Sequence, residues 1–328
     1  MTENTRGVAV ENRLMPFPAS ISAEARSAME RLVDDAGVPV NSRYAMPAPD
    51  DHAGWTTLRA AADAQYAAAV RGLAGALRAE ATTIRVGEML VHVASPEAGN
   101  PSGAAFLDFH GGALVFGGGE ACLAGARRQA DQHGIVCYGI DYRMPPEHPF
   151  PAALDDAIAG YRHALERHAP DRIVVGGRSA GGNIAAAMLL RARNEGLPMP
   201  AGLVLLSPQV DLTESGDSFV TNRLIDVVLP TSLMNNNLLY AAGADLGHPL
   251  LSPLFGDPTG FPPTLLQTGT RDLFLSNTVR MHRALRRAGV PADLIVFEGM
   301  PHGGFMGGTP EDAELAEEVR RFVAGRLA

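Results

Sequence analysis

Hydrophobic and polar positions along the chain change character near Thr82. From there onward, short apolar, β-branched runs alternate with longer amphipathic stretches. The runs at 83–86, 89–93, 105–109, 135–140, 172–175, 203–206, 264–267 and 294–297 predict strands. Stretches near 121–133, 151–168, 180–194, 276–288 and 310–327 predict helices. Alternation of this kind builds a mostly parallel sheet covered on both faces. The first two runs are joined at Gly87 and Glu88, which predicts a hairpin adding one antiparallel strand at an edge.

Two regions lack the alternation. Before Thr82 lie an amphipathic helical pattern at 23–35 and an Ala-rich, Pro-free stretch at 56–80 that predicts one or two helices. Between Pro208 and Pro262 no strand is legible, only a short helical pattern at 231–241 among Pro249, Pro253 and Pro258. A segment this long without strands is a lid or a disordered loop. Its apolar residues, among them Leu224, Ile225, Val227, Leu229, Leu233 and Tyr240, favour an ordered lid. The expected organisation is an N-terminal cap arm at 1–50, a core at 51–207 and 263–328, and a cap insertion at 208–262.

Composition narrows the function. The 328 residues suffice for one large α/β domain with a lid, and 46% hydrophobic with 19% charged residues is ordinary for a globular chain with a sizeable core. A formal net charge of -9, with no long basic run, argues against nucleic acid or an anionic membrane as partner. Cys122 and Cys137 form neither a disulfide framework nor a CxxC pair, and their apolar surroundings predict buried thiols. Met1 to Gly7 lack a secretory signal, and no apolar run reaches the roughly 20 residues that span a bilayer. The expectation is a soluble, cytoplasmic protein.

Candidate chemistry centres on Gly177-Arg178-Ser179-Ala180-Gly181, where an apolar run enters and a helical run leaves. Such a turn strains the serine backbone, holds its Oγ out over the sheet edge, and needs small neighbours because backbone packs on backbone. The helix behind it aims N–H groups at the same spot. Attack by serine on a carbonyl further needs a base, a group orienting that base, and donors for the oxyanion. Asp272 follows the strand at 264–267, and His302 sits on a Gly-rich loop after the last strand. The chain order serine, acid, histidine is that of the α/β-hydrolase arrangement. Upstream, the strand at 105–109 runs into His110-Gly111-Gly112-Ala113, so the N–H groups of Gly111, Gly112 and Ala180 are the candidate oxyanion hole.

At these residues the chain resembles the hormone-sensitive-lipase-like family of α/β-hydrolase carboxylesterases, bacterial family IV. The matching stretches are His110-Gly111-Gly112, Asp141-Tyr142-Arg143 continued by 146–152, Gly177 to Gly182, and Met300-Pro301-His302-Gly303. The resemblance implies an eight-stranded α/β-hydrolase core with a helical cap, no cofactor or metal, and hydrolysis of short- to medium-chain acyl esters through an acyl-enzyme. It also implies a possible homodimer along the strand at 294–297. Three positions depart from the family pattern: Ala113 replaces a third glycine, Arg178 precedes the nucleophile, and the acid motif reads Asp272-Leu273-Phe274.

Several residues have plainer readings. Ser179 can be a small residue in a tight turn, Asp272 a helix N-cap, and His302 a structural loop histidine. Their order and partners favour the triad. His110 is expected to brace the oxyanion loop rather than accept a proton, and Arg143 and Glu147 read as a structural loop able to form an ion pair. His133, His148, His163, His168, His248 and His282 show no metal spacing. Met234 and Met306 read as gap fillers and Asp293 as a solvated charge. Two rivals stand beside the ester reading: a lactone, aryl-ester or amide hydrolase with the same triad, and a non-catalytic binding module of the plant gibberellin receptor kind, which lacks the histidine that this chain has.

Overall fold

The computed structural model describes residues 14–74, 76–100 and 102–328. The first thirteen residues of the expected arm, Met1–Gly7 among them, lie outside the described residues. Two helices come first, α1 (Ala23–Glu30) and α2 (His52–Ala74). The alternating part follows as β1 (Glu80–Val86), β2 (Met89–Ser95), β3 (Ala105–Phe109), α3 (Glu120–His133), β4 (Val136–Asp141), α4 (Ala152–Leu165), β5 (Ile173–Arg178), α5 (Ala180–Asn194) and β6 (Gly202–Leu206). Two short helices, α6 (Ser218–Thr221) and α7 (Met234–Ala241), precede β7 (Thr264–Gly269), α8 (Leu275–Arg287), β8 (Ala292–Phe297) and α9 (Pro310–Leu327).

All eight strands form one sheet in the order β1-β2-β4-β3-β5-β6-β7-β8. β2 pairs antiparallel with both β1 and β4, and every pairing from β4 to β8 is parallel. The antiparallel strand therefore lies one place in from the edge, a correction to the expected edge position, and β1 runs with the rest. Period-two alternation sorts the strand residues between two cores. Leu107, Phe109, Val175, Leu203 and Leu205 pack with Leu154 and Ile158 of α4, Ile184 and Met188 of α5, and Met281 and Leu285 of α8. Phe106, Val174, Val204 and Leu265 face Ala126 and Ala130 of α3 and Leu315, Val319 and Val323 of α9.

Local chemistry explains where boundaries differ from the pattern. Helix α1 ends at Glu30 rather than near residue 35. Asp34 Oδ1 accepts the N–H groups of Ala36 and Val38, and Asp34 N–H bonds the Val38 carbonyl. That side-chain-closed turn competes with the helix and wins. The Ala-rich stretch is one helix, starting at His52 and ending at Ala74, and Glu80 already belongs to β1. β5 runs on to Arg178 because Gly176 and Gly177 stay paired with Asp108 and Phe109 of β3.

Residues 208–262 hold no strand and are woven into the rest. Val210, Leu212, Tyr240 and Leu251 join the main core, while Val227 packs with Ile21, Met29, Met300 and Phe305. Asn41 Nδ2 donates to the Val228 carbonyl, and Asn235 Nδ2 to the carbonyls of Met46 and Pro47. The N-terminal segment is further pinned where Ser22 N–H and Oγ–H donate to the Glu311 carboxylate in the first turn of α9.

Candidate active site

The position of Ser179 follows from the backbone. Ser179 joins β5 to α5 at φ 55, ψ -120, a left-handed conformation that costs a non-glycine residue about 1–3 kcal/mol. Its N–H bonds the Leu206 carbonyl at 2.9 Å, and the N–H groups of Gly182 and Asn183 bond its own carbonyl. A Cβ on Gly181 would stand 1.9 Å from the Phe109 carbonyl oxygen, so no other residue fits beneath the turn. Ser179 is nearly buried, at 8% exposure.

His302 bridges serine and acid. Its Nε2 lies 3.0 Å from Ser179 Oγ, and its Nδ1 lies 3.0 Å from Asp272 Oδ1. A carboxylate can only accept, so Nδ1 carries the hydrogen and Nε2 presents a lone pair to the serine hydroxyl. Asp272 is fully buried; it takes Thr268 Oγ1–H on Oδ2 at 2.8 Å and Phe274 N–H on Oδ1 at 2.8 Å. It does not cap α8, whose N-cap is Phe274. The Phe274 ring meets the His302 ring edge-on at 4.7 Å.

Electrostatics favour a charged imidazolium. Burial alone would lower the His302 pKa, but the charge and hydrogen bond of Asp272 and the charge of Asp226 outweigh it and hold it above the usual value. Burial likewise disfavours the Asp272 carboxylate, yet His302 and the donors around it hold its pKa below the ordinary carboxylate range.

The oxyanion candidates lie on the loop after β3. Gly112 has φ 124, and a Cβ there would meet the Phe116 carbonyl oxygen at 2.1 Å. Gly111 passes close to Ser179, since a Cβ on it would sit 3.5 Å from that of the serine. Ala180 opens α5 directly behind the serine. His110 acts on this loop as expected: Nδ1 lies 2.8 Å from the Gly111 carbonyl, and the ring stacks on Tyr142 at 4.1 Å and 5°. Tyr142 in turn donates to the His110 carbonyl. Ala113 adopts φ 52 and packs between the Trp55–Phe116 cluster and the Leu273–Phe274 cluster, so its methyl joins two groups that a glycine would leave apart.

Two residues bear on the site in ways the sequence did not foretell. Asp226, fully buried in the strandless segment, reaches both the acid turn and the His302 loop. Arg178 turns inward and its guanidinium donates to the Gly303 carbonyl beside His302. Another pairing is corrected: Arg143 binds Asp156 and Glu88, while Glu147 binds Arg59, so the two do not pair with each other.

A serine on a strand–turn–helix at the carboxyl edge of a mostly parallel sheet, faced by an imidazole and a buried carboxylate, defines the α/β-hydrolase class. A family model described as alpha/beta hydrolase fold matches residues 106–306. The chain belongs to this family, in its hormone-sensitive-lipase-like branch. An acetyl-hydrolase of Streptomyces hygroscopicus is 37% identical over 201 residues, 61% of this chain and 66% of that protein. The match thus spans just under two thirds of that relative. The crystal structure of an esterase, E25, superposes with a TM-score of 0.90 at 34% identity, covering 97% of this chain and 98% of that one. A hormone-sensitive lipase from a metagenome library gives 0.80 at 31% identity, covering 93% and 98%.

Proposed function

We propose that this chain is a serine carboxylic-ester hydrolase acting on small esters of short- to medium-chain acids. One observation carries the reading: His302 stands 3.0 Å from both Ser179 Oγ and Asp272 Oδ1, with the tautomer a general base needs. In this mechanism His302 Nε2 takes the Ser179 proton as Oγ attacks the ester carbonyl. The N–H groups of Gly111, Gly112 and Ala180 receive the oxyanion. The imidazolium then protonates the leaving alcohol, and the ester C–O bond breaks to leave an acyl-enzyme. Water, deprotonated by His302, attacks that acyl group and frees the acid.

The segments at 14–50 and 208–262 are proposed to form the cap, on the ground that Val227, Met300 and Phe305 unite them beside His302. The same triad serves lactones, aryl esters or amides, and the choice rests with the pocket. A non-catalytic binding role is disfavoured by the intact serine–imidazole–carboxylate series. A homodimer along β8, an edge strand of the sheet, is a further expectation.

The test is hydrolysis of p-nitrophenyl esters of increasing acyl length, with fluorophosphonate labelling of wild type and Ser179→Ala. Wild type should label and turn over short esters fastest, and Ser179→Ala should lose about 10⁴–10⁶-fold in kcat/KM. A folded wild-type protein that neither labels nor turns over any of these esters would overturn the reading.

A further inference from the structure

Behind the oxyanion loop, three metal-ligating side chains converge from three elements. His110 follows β3, Cys122 lies in the first turn of α3, and Asp141 ends β4. One donor atom from each lies within 4.8 Å of the other two. Nothing in the proposed hydrolysis uses Cys122 or Asp141.

Asp141 accepts the Gly119 N–H and faces His92, while one nitrogen of His110 is left without a partner. His110 Nδ1 faces the Gly111 carbonyl, which can only accept, so Nδ1 carries the hydrogen and Nε2 keeps a bare lone pair. That Nε2 is buried and has no hydrogen-bond partner among the described residues. His92, only 5% exposed, stands behind Asp141, with its Nε2 3.4 Å from Asp141 Oδ2. Its other nitrogen is engaged by Thr83 Oγ1 at 2.9 Å. A carboxylate, an imidazole nitrogen and a thiol sulfur this close, the thiol buried and the other two partly so, are the donor set of borderline-soft divalent metals. A histidine holding the carboxylate from behind is the outer support that such ligands commonly have.

We propose that His110, Cys122 and Asp141 bind a divalent transition cation of the zinc type, with His92 orienting Asp141. A cavity of about 810 Å³ lined by Gly118, Gly119 and Asp141 opens the Asp141 side of the cluster to an entering ion and a water ligand. Tetrahedral ligands around zinc stand roughly 3.3–3.8 Å apart, so donors now within 4.8 Å of one another close in by at most about 1.5 Å on binding. The Cys122 S–H bond breaks as the metal–sulfur bond forms, and its proton leaves to solvent. Because the His110 ring also braces Gly111, the metal is placed to modulate the oxyanion loop. That last consequence rests on the proposed hydrolase reading; the binding does not.

The test is titration of the full, chelator-treated protein with Co²⁺, whose thiolate complexes absorb in the near ultraviolet. Cys122 and Cys137 are the chain's only cysteines, so two variants assign the band. Wild type and Cys137→Ala should bind one Co²⁺ with a thiolate band that Zn²⁺ abolishes by displacement. Cys122→Ser, close to isosteric and so expected to fold, should show no band and lose the Zn²⁺-induced rise in Tm seen in wild type. No band in wild type, or a band surviving in Cys122→Ser, would overturn the proposal and leave a plain thiol–imidazole contact. Neither readout depends on ester turnover, so failure here and failure of the hydrolase reading are distinguishable.

Discussion

The backbone N–H of His302 donates to both carboxylate oxygens of Asp226, at 3.1 and 3.3 Å. The same carboxylate takes N–H bonds from Val228, Leu229 and Leu273 at 2.8–3.0 Å. One buried side chain thus ties its own loop, the acid turn and the base loop together.

Replacing Asp226 by Asn should separate position from charge. The amide puts N–H donors where only acceptors fit, and a buried hydrogen bond left unmade costs about 1–3 kcal/mol. We expect kcat to fall about 10- to 100-fold with KM nearly unchanged. The charge effect has its own sign: Asp226 helps keep the proton on His302, so its loss should move the acid limb of kcat/KM to lower pH. Burial and the Asp272 charge push the Asp226 pKa up to about 6, so its own ionisation falls within the same range. A fall in kcat with an unmoved limb would reduce Asp226 to a structural tie.

Wild-type pH dependence follows from His302. In the proposed mechanism His302 acts only when neutral, and its pKa is held above the usual imidazole value of ~6.5. The rate should therefore drop as pH falls through a midpoint above that value and level off on the alkaline side. Asp272→Asn removes the group that fixes the Nδ1–H tautomer and should cost about 10⁴ in kcat. A pH–rate series on both proteins measures each effect.

Arg178 gives the opposite sign. Burial and then the nearby Arg128 lower its pKa to about 10, and its charge acts against the imidazolium of His302. Arg178→Met keeps much of the bulk and removes the charge, so the acid limb should move to higher pH. It also removes the bond to the Gly303 carbonyl, so some loss of kcat is expected beside the shift. If Arg178→Met and Asp226→Asn move the limb in the same direction, the charges on them do not govern it.

Much of this was legible because local rules carry it. Short apolar, β-branched runs located every strand, and the Gly-rich turn around Ser179 announced itself by its flanks. Asp272 and His302 were found by chain order, and in space they meet. What failed was long-range. Asp226 sits in a stretch without strand or helix periodicity, and only the folded loops bring it to His302. The partners of Arg143 come from α4 and the β1–β2 turn and that of Glu147 from α2, neighbours that no local pattern specifies. Helix α1 ran long in the reading because the side-chain bonds of Asp34 are invisible to a hydrophobic count.

The single tryptophan offers a view of how the N-terminal segment holds the site. Trp55 is fully buried near the start of α2, donates its indole N–H to the Ala48 carbonyl at 2.9 Å, and packs with Val115, Phe116 and Leu239. Its neighbours thus belong to the oxyanion loop and to α7, so anything that loosens this junction exposes the indole. Its emission should be blue-shifted in the native protein. Elements with few core contacts open before the sheet does. In a denaturant titration, the red shift and the loss of esterase activity should coincide, ahead of the loss of far-ultraviolet circular dichroism. Trp55→Ala leaves a large cavity and should cost about 3–5 kcal/mol. Trp55→Phe should cost less and keep activity. Fluorescence, activity and circular dichroism falling together in wild type would mean that the junction unfolds only with the core.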